Sequence, residues 1–105
     1  MKLLVITALA EDGPAVRQLL REGKVPVYSM LPATGVRSGE DPDLLQEWFG
    51  NRSGELDSLL FFSFTTAERA DHVLSSLRDY NEKKGNGFPL RGFVLALEAA
   101  SHPLS

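Results

Sequence analysis

Cysteine is absent from the 105-residue sequence, which removes disulfides, thiolate nucleophiles and cysteine-ligated zinc or iron–sulfur clusters together. Histidine is scarce as well, because only His72 and His102 are present and they do not stand at a metal-ligand spacing. We therefore predict no metal site. The absence of cysteine also fits a reducing compartment, so we expect a cytoplasmic protein.

Long runs of basic residues are missing too. No stretch gathers five or six basic residues and the formal net charge is −3, which argues against binding to DNA or RNA. Hydrophobic residues make up 43% of the chain and charged residues 24%, as in ordinary soluble domains, and no insertion into a membrane is expected. The length fits one domain over residues 1–105.

Apolar periodicity predicts four strands and two helices. The strands are predicted at residues 3–6, 25–31, 59–64 and 93–97. The first helix is predicted at residues 14–22, with Asp12 or Gly13 as its cap and Gly23 as a left-handed residue at its end. The second helix is predicted to follow a capping box, in which the side chain of Thr65 accepts from the backbone N–H of Glu68 and the Glu68 side chain reaches back, and to end before residue 83.

The order of these elements is strand, helix, strand, long excursion, strand, helix, strand. It predicts an α+β, ferredoxin-like (βαββαβ) sandwich, in which a four-stranded antiparallel sheet carries both helices on one face. Residues 59–64 are almost continuously apolar, so their strand would expose hydrophobic surface on the uncovered face. We therefore predict a homo-oligomer that buries this face.

The excursion between the second and third strands is predicted as a long loop at about residues 35–57 with a small apolar island. The island consists of Leu44, Leu45, Trp48 and Phe49, spaced as on one helical face. Two interpretations stay open. The island either attaches the loop to its own sheet or forms a surface that binds a partner protein.

Three segments resemble the PII signal-transduction proteins, the nitrogen regulatory protein PII superfamily, and their PII-like relatives. They are residues 33–39 (ATGVRSG), 83–87 (KKGNG) and 93–98 (FVLALE). The resemblance implies a trimer whose clefts between subunits bind a small effector, typically an adenine nucleotide. It also implies that the long loop contacts a target, such as a membrane transporter or an enzyme.

The resemblance further implies which residues bind the effector. Gly35 and Arg37 would lie at the base of the long loop and Arg91 just before the last strand. The residues of the phosphate-binding loop would be Lys83, Lys84, Gly85 and Gly87. Glycines allow backbone N–H groups to turn toward an anion, and basic side chains add charge beside them. The same basic segment also fits an ordinary cationic helix end, which complements the helix dipole.

An enzyme is harder to derive from these residues, and we predict no catalytic residue and no cofactor beyond the nucleotide. The adjacent carboxylates Glu11 and Asp12 fit solvated cap residues. Two alternatives to a nucleotide-sensing regulator stay open. One is a metal-responsive PII-like protein associated with cation tolerance. The other is a small dimeric ferredoxin-like enzyme of the monooxygenase type, with its site in the cleft between helices and sheet.

Overall fold

The computed structural model describes residues 1–37, 54–85 and 87–102. Its elements in chain order are β1 (Lys2–Leu9), a short 3-10 helix (Ala10–Asp12), α1 (Gly13–Glu22), β2 (Ser29–Arg37), β3 (Gly54–Thr65), α2 (Ala67–Lys84) and β4 (Arg91–Ala96). The four strands form one sheet in the order β2-β3-β1-β4, and every neighbouring pair is antiparallel. This is the predicted α+β, ferredoxin-like fold.

The hydrophobic core lies between the helices and one face of the sheet. Leu4 and Ile6 of β1 and Phe61 of β3 are each 1% exposed, and Ile6 lies directly across from Phe61 in the register of the two strands. These side chains pack with Val16 of α1 and Val73 of α2 in one cluster. Since both helices contribute to the same cluster, both cover the same face of the sheet.

The second strand differs from its predicted position. β2 runs from Ser29 to Arg37, so the residues predicted to begin the long loop lie in the sheet instead. Pro32 is paired within β2, and because β2 is an edge strand its missing N–H deprives no neighbour of a hydrogen bond. Before β2, the hydroxyl of Ser63 donates to the carbonyl of Val27 at 2.6 Å, which attaches the incoming chain to β3.

The helix ends also differ in detail from the expectations. The N-cap of α2 is Thr66, whose side chain accepts from the backbone N–H of Arg69 at 3.2 Å, while Thr65 ends β3. α2 continues through Lys84, beyond the predicted end. At the end of α1 the left-handed residue is Lys24, with φ 61°, and not Gly23.

Steric contact explains why position 23 carries glycine. A Cβ atom there would lie 2.6 Å from Cγ2 of Val73, so a side chain at this position would collide with α2. Gly92 of β4 is constrained in the same way, because its Cβ would lie 2.6 Å from Cδ1 of Leu77. Both glycines therefore allow α2 to approach its neighbours closely.

Candidate effector site

The face of the sheet that the helices leave uncovered is called here the open face. It carries Leu3, Val5 and Thr7 of β1 together with their register partners, which are Phe64, Phe62 and Leu60 of β3 and Leu95, Phe93 and Arg91 of β4. Several of its large side chains reach solvent, among them Phe93 at 37%, Phe64 at 46% and Leu95 at 47% exposure. The exposed hydrophobic surface expected from the sequence is present on this face.

The open face changes character at one end. Near Lys2, Leu3 lies between Phe64 and Leu95 on the neighbouring strands. At the other end of β1, Thr7 lies between Leu60 and Arg91. Beside this end of β1 lies a cavity of about 40 Å³, which Thr7, Gly35, Ser58 and Phe88 help to line. A space of this size holds about one or two water molecules or a small group of a ligand.

Thr7 is the unusual residue of this cavity. Its side chain is buried, with 8% of the residue exposed, and its Oγ1 has no hydrogen-bond partner among the described residues. A buried hydroxyl without a partner costs about 1–3 kcal/mol, and buried polar groups are normally satisfied by protein, water or ligand. The hydroxyl therefore marks the cavity as a place where a polar group can bind.

The segment between α2 and β4 forms another wall of this region. Gly85 has φ 81° and Gly87 has φ 93°, a backbone region that residues with side chains rarely adopt. Phe88, which follows them, is only 5% exposed. The glycines thus turn the chain from the end of α2 back toward the sheet. The buried side chain of Phe88 then anchors the chain at the cavity that Thr7 also lines.

The basic residues predicted for the effector site differ in their surroundings. Lys83 is exposed at the end of α2, and Arg91 is half-buried directly across from Thr7. Lys84 is engaged, because its Nζ lies 2.8 Å from Oδ2 of Asp12 and donates to the carbonyl oxygen of Phe88 at 3.0 Å. Asp12, expected as a cap of α1, makes no capping bond with its side chain.

The predicted site residues are spread across the sheet, because Gly35 lies on the edge strand β2 and Arg91 on the opposite edge strand β4. Gly35 lines the cavity at Thr7, Arg91 lies on the strand next to β1, and Gly85 and Gly87 form the turn that leads to Phe88. Arg37 is the last residue of β2, and its side chain is not described. The island formed by Leu44, Leu45, Trp48 and Phe49 lies outside the described residues.

Of the residues that line this cavity, the sequence analysis named only Gly35 as a site residue, and those it missed include Thr7, Ser58 and Phe88. Thr7 carried a readable signal, because it is the one hydroxyl within the apolar run of residues 3–10. Nothing in the sequence pattern marked Ser58 or Phe88 as site residues. Ser58 reaches the cavity through the register of β3, and Phe88 reaches it through the path of the chain after α2.

Two further observations concern the described residues as a whole. Among the described ranges, no group of three or more His, Asp or Glu side chains is placed to hold a metal ion. No helix in the described part of the chain is long and apolar enough to cross a membrane.

The fold and this cavity define a ferredoxin-like α+β protein with an apolar open face and, near its end, a small cavity that is lined mainly by apolar groups and contains the hydroxyl of Thr7. No protein-family model matches the chain, and no curated protein matches it.

Proposed function

We propose that this protein is a non-enzymatic, PII-like regulator that acts in the cytoplasm as a trimer. It binds a small anionic effector, with an adenine nucleotide as the first candidate, in clefts between subunits. Its loop between β2 and β3 then contacts a target such as a transporter or an enzyme. The observation that carries this proposal is the buried hydroxyl of Thr7, which has no partner among the described residues and lines a small cavity at the end of an apolar open face. A neighbouring subunit that covers this face would close over the cavity.

The open face supports the assembly. Phe64 of β3 and Phe93 and Leu95 of β4 are each more than a third exposed and flank β1 on its two sides. Leu3 and Val5 of β1 lie between them in the register, so together these side chains form a continuous apolar surface. Surfaces of this kind on a small domain commonly mark protein interfaces. A closed cyclic oligomer buries such a face in every copy, and threefold symmetry is the form that the PII resemblance implies.

Polar and basic groups in and near the cavity support binding of an anionic molecule. The hydroxyl of Thr7 needs a partner, the backbone of Gly35 is accessible from the cavity, and Arg91 brings positive charge to the adjoining row of the sheet. Lys83 adds a second exposed cation at the end of α2. Charge-assisted hydrogen bonds from such groups are the usual means of holding phosphate oxygens.

The packing between helices and sheet favours a regulator over the monooxygenase-type enzyme. That enzyme would need an open cleft where Leu4, Ile6, Phe61, Val16 and Val73 now lie, each at 1% exposure or less. Filled space of this kind admits no substrate without displacing core side chains.

The proposal is tested by calorimetric titration with ATP, ADP, AMP and cyclic nucleotides. A charge-assisted contact contributes about 1.5–3 kcal/mol, so Arg91→Ala is expected to weaken nucleotide binding roughly tenfold or more. The matched control is Arg78→Ala, because Arg78 is exposed on α2 and forms no ion pair with any described residue. Absence of heat with every nucleotide, or equal affinity of the Arg91→Ala variant and the wild type, would contradict the proposed site.

A further inference from the structure

Two side chains of α2 hold the segment that leads into β4. Nζ of Lys84 donates to the carbonyl oxygen of Phe88 at 3.0 Å. Asn81 contacts the backbone of Leu90 in both directions, since its Nδ2 donates to the carbonyl at 2.8 Å and its Oδ1 accepts from the N–H at 2.9 Å. Phe88 and Leu90 are 5% and 2% exposed, so the segment is anchored by burial as well. Its position is therefore set by α2.

Asp12 in turn fixes Lys84. Its Oδ2 lies 2.8 Å from Nζ, and the two side chains are 10% and 24% exposed. Asp12 stands at the N-cap position of α1, where a carboxylate usually accepts from the helix backbone, yet it makes no such bond. The carboxylate thus contacts Lys84 instead of capping its own helix, and it joins two elements that are 72 residues apart.

This arrangement changes the role expected for Lys84. Two of the three N–H groups of an ammonium are already occupied here, by a carboxylate and by a carbonyl. The negative charge of Asp12 also offsets the positive charge that an anion would sense. Lys83, one residue earlier, is exposed and has no salt bridge within the described part of the chain.

We propose that Asp12 and Lys84 are positioning residues for the effector pocket and do not contact the effector themselves. Through the carbonyl of Phe88 they hold that residue in the pocket wall beside Thr7. The positive charge that meets the anion comes from Lys83 and Arg91. This inference rests on the proposed function, but its structural part can be tested without any ligand.

The test uses four variants of the full chain. Asp12→Asn removes the negative charge and leaves Lys84 intact, Lys84→Met removes the ammonium, and Lys84→Arg keeps a positive donor. Lys83→Met is the matched control, because it removes the neighbouring charge without touching the Asp12 contact. For each variant, NMR records the backbone amide signals of Thr7 and Gly35 in the ligand-free protein, and calorimetry measures the affinity for ATP.

If Asp12 and Lys84 are positioning residues, Asp12→Asn and Lys84→Met shift the amide signals of Thr7 and Gly35 and each weaken ATP binding by about fivefold or more. Lys84→Arg retains both properties, and Lys83→Met weakens binding without shifting the signals. The Asp12→Asn variant is decisive, because it leaves the charge of Lys84 in place.

The opposite results overturn the inference. If Lys84 is a direct ligand of the anion, Asp12→Asn binds ATP as tightly as the wild type or more tightly, while Lys84→Met loses binding. If the wild type binds no nucleotide at all, the proposed function fails, yet the amide signals still test the positioning role. Unshifted signals in Asp12→Asn and Lys84→Met would refute it. Should Lys84→Met not fold, Asp12→Asn alone decides both points.

Discussion

The substitution Phe64→Asp tests whether the open face is buried in an oligomer. Phe64 is 46% exposed in the single chain. A phenylalanine presents about 200 Å² of surface, so complete coverage by a neighbour would remove about 90 Å² from water. At about 25 cal/mol per Å², this contributes about 2 kcal/mol for each copy. Losing this contribution corresponds to a roughly thirtyfold weaker association at each contact. The cost of burying the new carboxylate weakens the association further.

Sedimentation velocity across micromolar concentrations measures the effect. The wild type is expected to sediment as a trimer and Phe64→Asp as a monomer, while circular dichroism confirms that the variant is folded. Met30→Asp is the matched control, because Met30 is also 46% exposed but lies in register with the buried Phe61, on the face away from the open one. A stable wild-type monomer, or equal dissociation of both variants, would refute the reasoning.

Three further predictions concern individual side chains. Thr7→Val removes the hydroxyl that has no partner in the described residues, so it should raise the free energy of unfolding by about 1–2 kcal/mol while weakening nucleotide binding; unchanged stability in urea would show that water already satisfies the group. Gly92→Ala should lower the free energy of unfolding by about 1–3 kcal/mol, because the new Cβ would lie 2.6 Å from Cδ1 of Leu77; an unshifted urea midpoint would contradict this contact. Thr66→Ala should cost about 1 kcal/mol through loss of the bond from the N–H of Arg69, with Thr66→Ser restoring it in thermal unfolding.

The fold class followed from the sequence because local patterns specify it. The alternation of strand-like and helix-like segments, with turn residues between them, leaves few arrangements that bury every apolar face. The edge position of β2 was also predictable, because Pro32 cannot donate to a neighbouring strand. These features depend on residues close together in the chain.

The faces of β3 could not be read in the same way. Phe61 is 1% exposed and Phe64 is 46% exposed, although both belong to the same apolar run. The register with β1 decides between them, since Phe61 pairs with Ile6 in the core and Phe64 pairs with Leu3 on the open face. A shift of one residue would exchange the two faces, and a continuous apolar run does not exclude it.

The candidate site was only partly predictable for the same reason. The sequence alone determined that basic residues end α2, that glycines follow them and that a basic residue stands at the start of β4. It left Asp12 as a local helix cap, because a cap needs only neighbouring residues. The tertiary structure placed Asp12 against Lys84, 72 residues away, and brought Phe88 beside Thr7. Contacts at such separation depend on how the helices pack on the sheet, and no local pattern encodes that packing.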